Sequence, residues 1–163
     1  VATNFLEAAG TGGLITPATT VAWVTALASL TNGSTSLSST VFSQATFANA
    51  RKLQAWFING TASFTPTVGG CLSFWWLPST DGGTTFETIT ATPSSTVAAL
   101  ARSADFLIPF DVAAFTSGSI RFAQGPFAYP YLGAKLLMQN NSGATLSTTG
   151  TPTVLLGAVA DSY

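Results

Sequence analysis

The sequence predicts an all-β chain, an antiparallel β-sandwich of jelly-roll type preceded by an extended N-terminal arm. Three observations carry that expectation. From Val21 onward, short runs rich in β-branched and aromatic residues recur between clusters of Gly, Pro, Asn and Ser. Within several runs, apolar and polar side chains alternate with a period of two, as a strand with one buried face requires. Outside residues 21–30, no segment keeps a helical period for three turns without Gly, Pro or a β-branched interruption. At 163 residues the chain suits one domain able to bury about two thirds of its unfolded surface. No fixed-period repeat points to a propeller or solenoid.

The arm is residues 1–20, "VATNFLEAAGTGGLITPATT". It carries an apolar hook, Phe5 and Leu6, then a Gly10-Thr11-Gly12-Gly13 hinge and a Pro17 that discourages helix. It can lie on its own domain or reach a neighbouring subunit, and Phe5 with Leu6 can tie it down. Residues 21–163 form the sandwich. Strands are expected at about 22–30, 41–47, 51–58, 70–77, 84–90, 105–111, 119–124, 133–140 and 152–159. The first of these also fits a helix, with Trp23, Leu27 and Leu30 at i, i+4 and i+7. In 51–58, Leu53, Ala55 and Phe57 share one face and Lys52, Gln54 and Trp56 the other. In 70–77, Leu72, Phe74 and Trp76 oppose Ser73 and Trp75, so the adjacent tryptophans point to opposite sides of the sheet. Trp76 is assigned to the core with Phe74. Phe106, Ile108 and Phe110 oppose Asp105 and Asp111, while Leu136 and Met138 oppose Lys135 and Gln139.

Composition narrows the function. Hydrophobic residues are an ordinary 47%, but charged residues only 7%, against about 25% in soluble domains. Five Lys+Arg and six Asp+Glu leave a net charge of −1, too little field to neutralise a run of phosphates, so nucleic acid is not an expected partner. A surface of Ser, Thr, Asn, Gln and Gly loses little solvation when another protein covers it. Twelve Phe and four Trp argue against disorder. The richest apolar stretch, "VAWVTALASL", is ten residues long, too short to span a membrane as a helix. No basic region followed by an apolar one suggests a signal peptide, and Val1 is expected to follow a removed initiator Met.

Catalytic chemistry is not expected, nor is a cofactor or metal. Histidine is absent, which excludes Ser-His-Asp and Cys-His catalysis and the commonest zinc ligand. The carboxylates are Glu7, Asp81, Glu87, Asp105, Asp111 and Asp161. Glu87 with Asp105 or Asp111 could in principle form a glycosidase pair. However, Asp81-Gly82-Gly83 reads as a turn, and Asp105 and Asp111 bracket a strand where it leaves the core. "GTGG" at Gly10–Gly13 follows no strand and precedes no helix with Lys, unlike a phosphate loop. Cys71, the one cysteine, reads as a small apolar residue within a strand. The Asn-Gly pairs at Asn32 and Asn59 read as tight turns rather than glycan acceptors, and the Asn140-Asn141-Ser142 sequon is expected by chance in a chain this rich in Ser and Thr.

What remains is aromatic and positional. Trp56 and Trp75 fall on faces opposite those assigned to the core, which makes them candidate partner-binding residues, together with Phe5 and Leu6 of the arm. Phe127, Tyr129 and Tyr131, read as a loop in "GPFAYPYLG", complete the candidate set. Aromatic rings exposed on a sandwich also suit a carbohydrate or host-receptor module.

Three segments carry a more specific likeness. Lys135, Leu137, Gln139, Asn140, Asn141, Ser142 and Gly143, followed by the run Thr153 to Ala158, form one motif. Trp75 to Gly83, W-x-L-P-S-x-D-G-G, forms a second, and Arg102 to Pro109 a looser third. Together they resemble small structural proteins of tailed-phage virions over about half the chain. The resemblance implies a head-decoration or cement protein, or a tail or connector component, located in the virion and assembled in the host cytoplasm. It implies the major capsid protein or another virion protein as partner, and a homo-oligomer, with a trimer suggested by threefold lattice positions.

Overall fold

The computed structural model describes residues 18–47, 52–60, 63–86, 103–112, 114–123, 127–128, 133–147 and 150–159. Its strands are β1 (Thr19–Thr20), β2 (Thr35–Leu37), β3 (Lys52–Ile58), β4 (Cys71–Pro78), β5 (Phe106–Pro109), β6 (Ile120–Phe122), β7 (Phe127–Ala128), β8 (Ala134–Asn141) and β9 (Thr153–Val159). They form two antiparallel sheets. The first runs β1-β9-β3-β6, with β7 also pairing with β3, and the second runs β2-β8-β4-β5. The chain is all-β, consistent with a sandwich.

The long central strands follow the alternation in the sequence. Leu53, Ala55 and Phe57 of β3 point inward with Val154, Leu156 and Ala158 of β9, their register partners being Ala158, Leu156 and Val154 in turn. From the second sheet, Leu72, Phe74 and Trp76 of β4 and Leu136 and Met138 of β8 meet them in one core. Aromatic rings fill much of it. Phe57, Phe64, Phe110 and Phe115 lie mutually edge-on or stacked, with centroids 5.3–6.2 Å apart. Each such pair contributes about 0.5–1.5 kcal/mol beyond the area it buries.

Two expected strands are not strands. Residues 21–30 are neither strand nor helix: Leu27 and Leu30 turn into the core while Val24 stays exposed. Leu30 N–H bonds Leu27 O across a tight turn, and Ser29 takes a positive φ of 66° that no regular element tolerates. Residues 41–47 end in a 3-10 turn, Gln44–Phe47. Ser43 and Thr46 bond each other through backbone and hydroxyl, a local alternative to ladder pairing. Phe42 and Phe47 then stack at 5.8 Å inside the core. Three short strands escaped the pattern, β1, β2 and β7. Of the expected strand at 84–90, Phe86 makes a single bridge with Ser79, and residues beyond it lie outside those described, as does nearly all of the expected arm.

Neutral amides and hydroxyls hold the turns. Asn140, on the inward side of β8 and fully buried, donates from Nδ2 to Leu30 O and Ala144 O and accepts at Oδ1 from Ser142 N–H. Gln139 donates to Gly33 O, and Asn141 donates to Ser73 Oγ and Gln139 Oε1. These amides fasten the 27–34 loop and the turn after β8 to one strand, fixing its register. Asn59 is also buried and donates to Phe115 O. Neither Asn59 nor Asn140 can carry a glycan in the folded chain, and the Asn-Gly pairs do form turns, with φ of 83° at Gly33 and 71° at Gly60.

Candidate functional site

Because successive side chains alternate, each sheet has an outward face, and both outward faces are unlike ordinary wet surfaces. On the second sheet, cross-strand register places Leu37, Leu137 and Trp75 in one row and Lys135 beside Leu77 in the next. Trp75, Leu77 and Leu137 form a compact second cluster, with Leu37 and Ala104 packed against it. Trp75 is therefore 5% exposed, and the expectation of a solvent-facing contact ring there is corrected. The reason is local: the row surrounds the indole with aliphatic side chains, and the β4–β5 connection returns to this face at Ala104. Its other described end brings Phe86 to Lys135 Nζ, 4.8 Å from the ring centroid. Below the apolar row, Thr35, Gln139 and Ser73 stand side by side in register, buried and neutral.

The outward face of the first sheet is different. Thr20, Leu155, Trp56 and Phe122 lie side by side across β1, β9, β3 and β6, and Thr153, Ile58 and Ile120 form the adjacent row. Trp56 does point outward, as the alternation requires, but it is only 4% exposed, so its reading as a solvent-facing ring is also corrected. It belongs to neither apolar cluster, and Phe122 meets it edge-on at 6.2 Å. Its Nε1–H is buried with no hydrogen-bond acceptor among the described residues. Phe122 itself is 51% exposed. Leu155, Trp56 and Phe122, with Ile58 and Ile120 beside them, make an apolar row on this face in which Phe122 is the exposed member.

The other candidates fare unevenly. Phe127 is not on a loop. As part of β7 it pairs with Leu53, whose side chain is in the core, and its ring continues the stack Phe74–Phe106–Phe127 at 4.5 and 3.8 Å with near-parallel planes. Turned inward, it offers no platform for a sugar. Phe5, Leu6, Tyr129 and Tyr131 lie outside the described residues. Phe122, Ile120 and Leu155 were missed because a single strand's alternation does not reveal which residues of three other strands stand beside it.

Among the described residues, Asp81, Asp105, Asp111, Arg121 and Lys135 are each engaged in structure. Asp105 accepts the Trp76 backbone N–H at 2.6 Å. Asp111 pairs with Arg121 at 2.8 Å, and that guanidinium sits 5.4 Å over the Phe115 ring. Asp81 caps its turn: hydrogen bonds from the Thr85 backbone and hydroxyl, then from Ser79, hold its carboxyl well below the usual carboxylate range. Among the described residues no group of three or more His, Cys, Asp or Glu side chains could hold a metal, and no helix is long and apolar enough to cross a membrane. Comparisons with protein-family models, curated proteins and solved structures returned no match.

Proposed function

We propose that this chain is a non-catalytic structural protein of a tailed-phage virion, a decoration or cement protein that binds the major capsid protein on the head surface. The observation that carries the reading is the outward face of the first sheet. There an apolar row with a half-exposed phenylalanine lies on a chain of 7% charged residues. Monomeric proteins rarely leave a contiguous apolar patch open, and such a patch marks a contact with other protein. A neutral rim adds little desolvation cost when it is covered. The second support is where the resemblance falls. Trp75–Gly83 and Lys135–Gly143 include half of β4 and nearly all of β8, the central pair of the second sheet, and the motif amides bond the turns there.

The finer fold assignment belongs to the same proposal. Setting aside the two-residue β7, eight strands remain. The chain alternates between sheets at every step from β1 to β4 and again from β5 to β9. That pattern supports a jelly roll of two interleaved Greek keys, an architecture used in capsid and lectin domains. Architecture alone does not choose between those two uses. The inward turn of Phe127 removes one ring that favoured the lectin-like use.

The test is attachment. Particles purified by density gradient from cells producing the chain should carry it in many copies, and the purified chain should cosediment with particles lacking it. Because the proposed contact is neutral, raising NaCl to about 1 M should change the bound fraction less than about twofold, whereas a charge-driven contact would weaken steeply with salt. Absence from particles, easy release by salt, or selective retention on glycans would overturn the reading.

A further inference from the structure

We propose that Asn59-Gly60 is a self-modification site that the fold holds shut, and that opening this turn converts Asn59 to aspartate or isoaspartate in a one-way step. Asparagine is thermolabile, and a following glycine leaves the attacking amide sterically open. The Gly60 amide nitrogen bonds to Asn59 Cγ, and Nδ2 departs as ammonia, taking up the proton that the amide gave up. Water then opens the resulting succinimide at either of its carbonyls. No oxidant, metal or second protein takes part.

The geometry explains why so labile a pair stands here. Asn59 is wholly buried, and its Nδ2 donates to Phe115 O at 3.0 Å and to Thr116 O at 3.3 Å. Those bonds need an amide NH2, which a carboxylate lacks. Gly60 is equally constrained. Its φ is 71°, and a Cβ there would lie 2.8 Å from Thr151 N and 2.9 Å from Thr151 O. The turn therefore requires the amide and the glycine together.

The same contacts hold the reaction back. Two carbonyls retain the leaving group, and burial keeps out the water that opens the ring. The backbone is pinned on both sides, by Asn59 N–H on Ser119 O at 3.1 Å and by Gly118 N–H on Gly60 O at 2.6 Å. Once formed, the product does not fit. A buried carboxylate would face Phe115 O and Thr116 O with no proton to donate. Isoaspartate would lengthen the backbone just before its close approach to Thr151. Asn32-Gly33 is the internal contrast: Asn32 is exposed, and its Oδ1 accepts Gly143 N–H at 2.8 Å, a role that aspartate keeps.

The inference is independent of the virion reading, and its test uses the purified full chain alone. The chain is held in mildly alkaline buffer, folded or unfolded in guanidinium chloride, and conversion at each asparagine is followed by peptide mass mapping. Asn59 should convert at least about 100-fold more slowly in the folded chain, as a reaction confined to a rarely populated open state requires. After the unfolded sample is returned to buffer, chains with aspartate at position 32 should appear in the refolded fraction, and chains converted at position 59 should be missing from it. Asn59→Asp should likewise lower the urea midpoint more than Asn32→Asp. Equal rates at Asn59 in folded and unfolded chain would overturn the proposal. Recovery of Asn59-converted chains with the urea midpoint of the unconverted protein would overturn it equally. The rates in the unsubstituted chain decide the matter even where Asn59→Asp yields no folded protein.

Discussion

Asn140→Ala is the substitution from which the fold has most to lose without changing its apolar core. The side chain makes three hydrogen bonds, to Leu30 O and Ala144 O at 2.8 Å and from Ser142 N–H at 3.0 Å, and is wholly buried. Removing it deletes three bonds worth about 1 kcal/mol each and orphans the Ser142 N–H at about 1–3 kcal/mol if no water reaches it, whereas Leu30 O keeps Leu146 N–H and Ala144 O keeps the Ser142 hydroxyl. The expected loss is about 3–5 kcal/mol, a large share of the roughly 5–15 kcal/mol that holds a domain folded. Urea unfolding followed by tryptophan fluorescence reads it directly. With a slope of about 2 kcal/mol per M, the midpoint should fall by about 1.5–2.5 M at unchanged slope. Asn140→Asp keeps the acceptor but sets a carboxylate against two carbonyl oxygens, so at neutral pH it should be at least as damaging. A loss below about 1 kcal/mol for Asn140→Ala would refute the view that this amide fastens the loops to β8.

Three further outcomes follow from the geometry. A Cβ at Gly70 would lie 2.6 Å from Ser142 O, whereas one at Gly69 meets nothing within 4 Å but sits at φ +87°; Gly70→Ala should therefore cost more in urea unfolding than Gly69→Ala, whose left-handed strain is about 1–2 kcal/mol, and the reverse order would contradict the packing. Asp81 is held ionised by its turn, so its contribution to stability is fully present above its ordinary value near 3.8 and is lost only as pH falls through its much lower folded value; its carboxyl carbon resonance should stay unprotonated at pH 3, and a midpoint near 3.8 would exclude the cap. Trp75→Ala should destabilise as a core substitution does, by about 3–5 kcal/mol, and acrylamide should reach neither Trp75 nor Trp76 in the folded chain.

The strands that could be read from the sequence are those whose two faces differ chemically and whose length lets the alternation repeat. β3, β4, β8 and β9 are seven or eight residues each, and all lie within or close to their expected bounds. β2, "TSL", has no alternation to read: Thr35 and Ser36 are buried because β8 pairs with them, not because they are apolar. The "VFSQATF" run shows the opposite failure. Its β-branched and aromatic composition suits a strand, but the Ser43–Thr46 hydrogen bonds close a turn and bring Phe42 onto Phe47. Local hydroxyl bonding outweighed propensity there.

The contact face was harder to read because a face is decided by register, and register is not written in any one strand. In "SIRFA", the alternation puts Arg121 on one face of β6 and Ile120 with Phe122 on the other, and pairing with β3 decides which face is inward. Arg121 is opposite Phe57, whose ring is in the core, so it faces the interior at the rim, where Asp111 pairs with it and Phe115 lies beneath its guanidinium. Ile120 and Phe122 are turned out beside Ile58 and Trp56 as a consequence. A charge aimed inward from an edge strand is a known way to stop a sheet from pairing with further strands. On β6 the same residue has a second effect. It protects the edge of the sheet from growing by backbone pairing while turning the flanking apolar side chains onto the face. Arg121 thus guards the β6 edge against further strand pairing, and Ile120 and Phe122 are left on the outward face as its consequence.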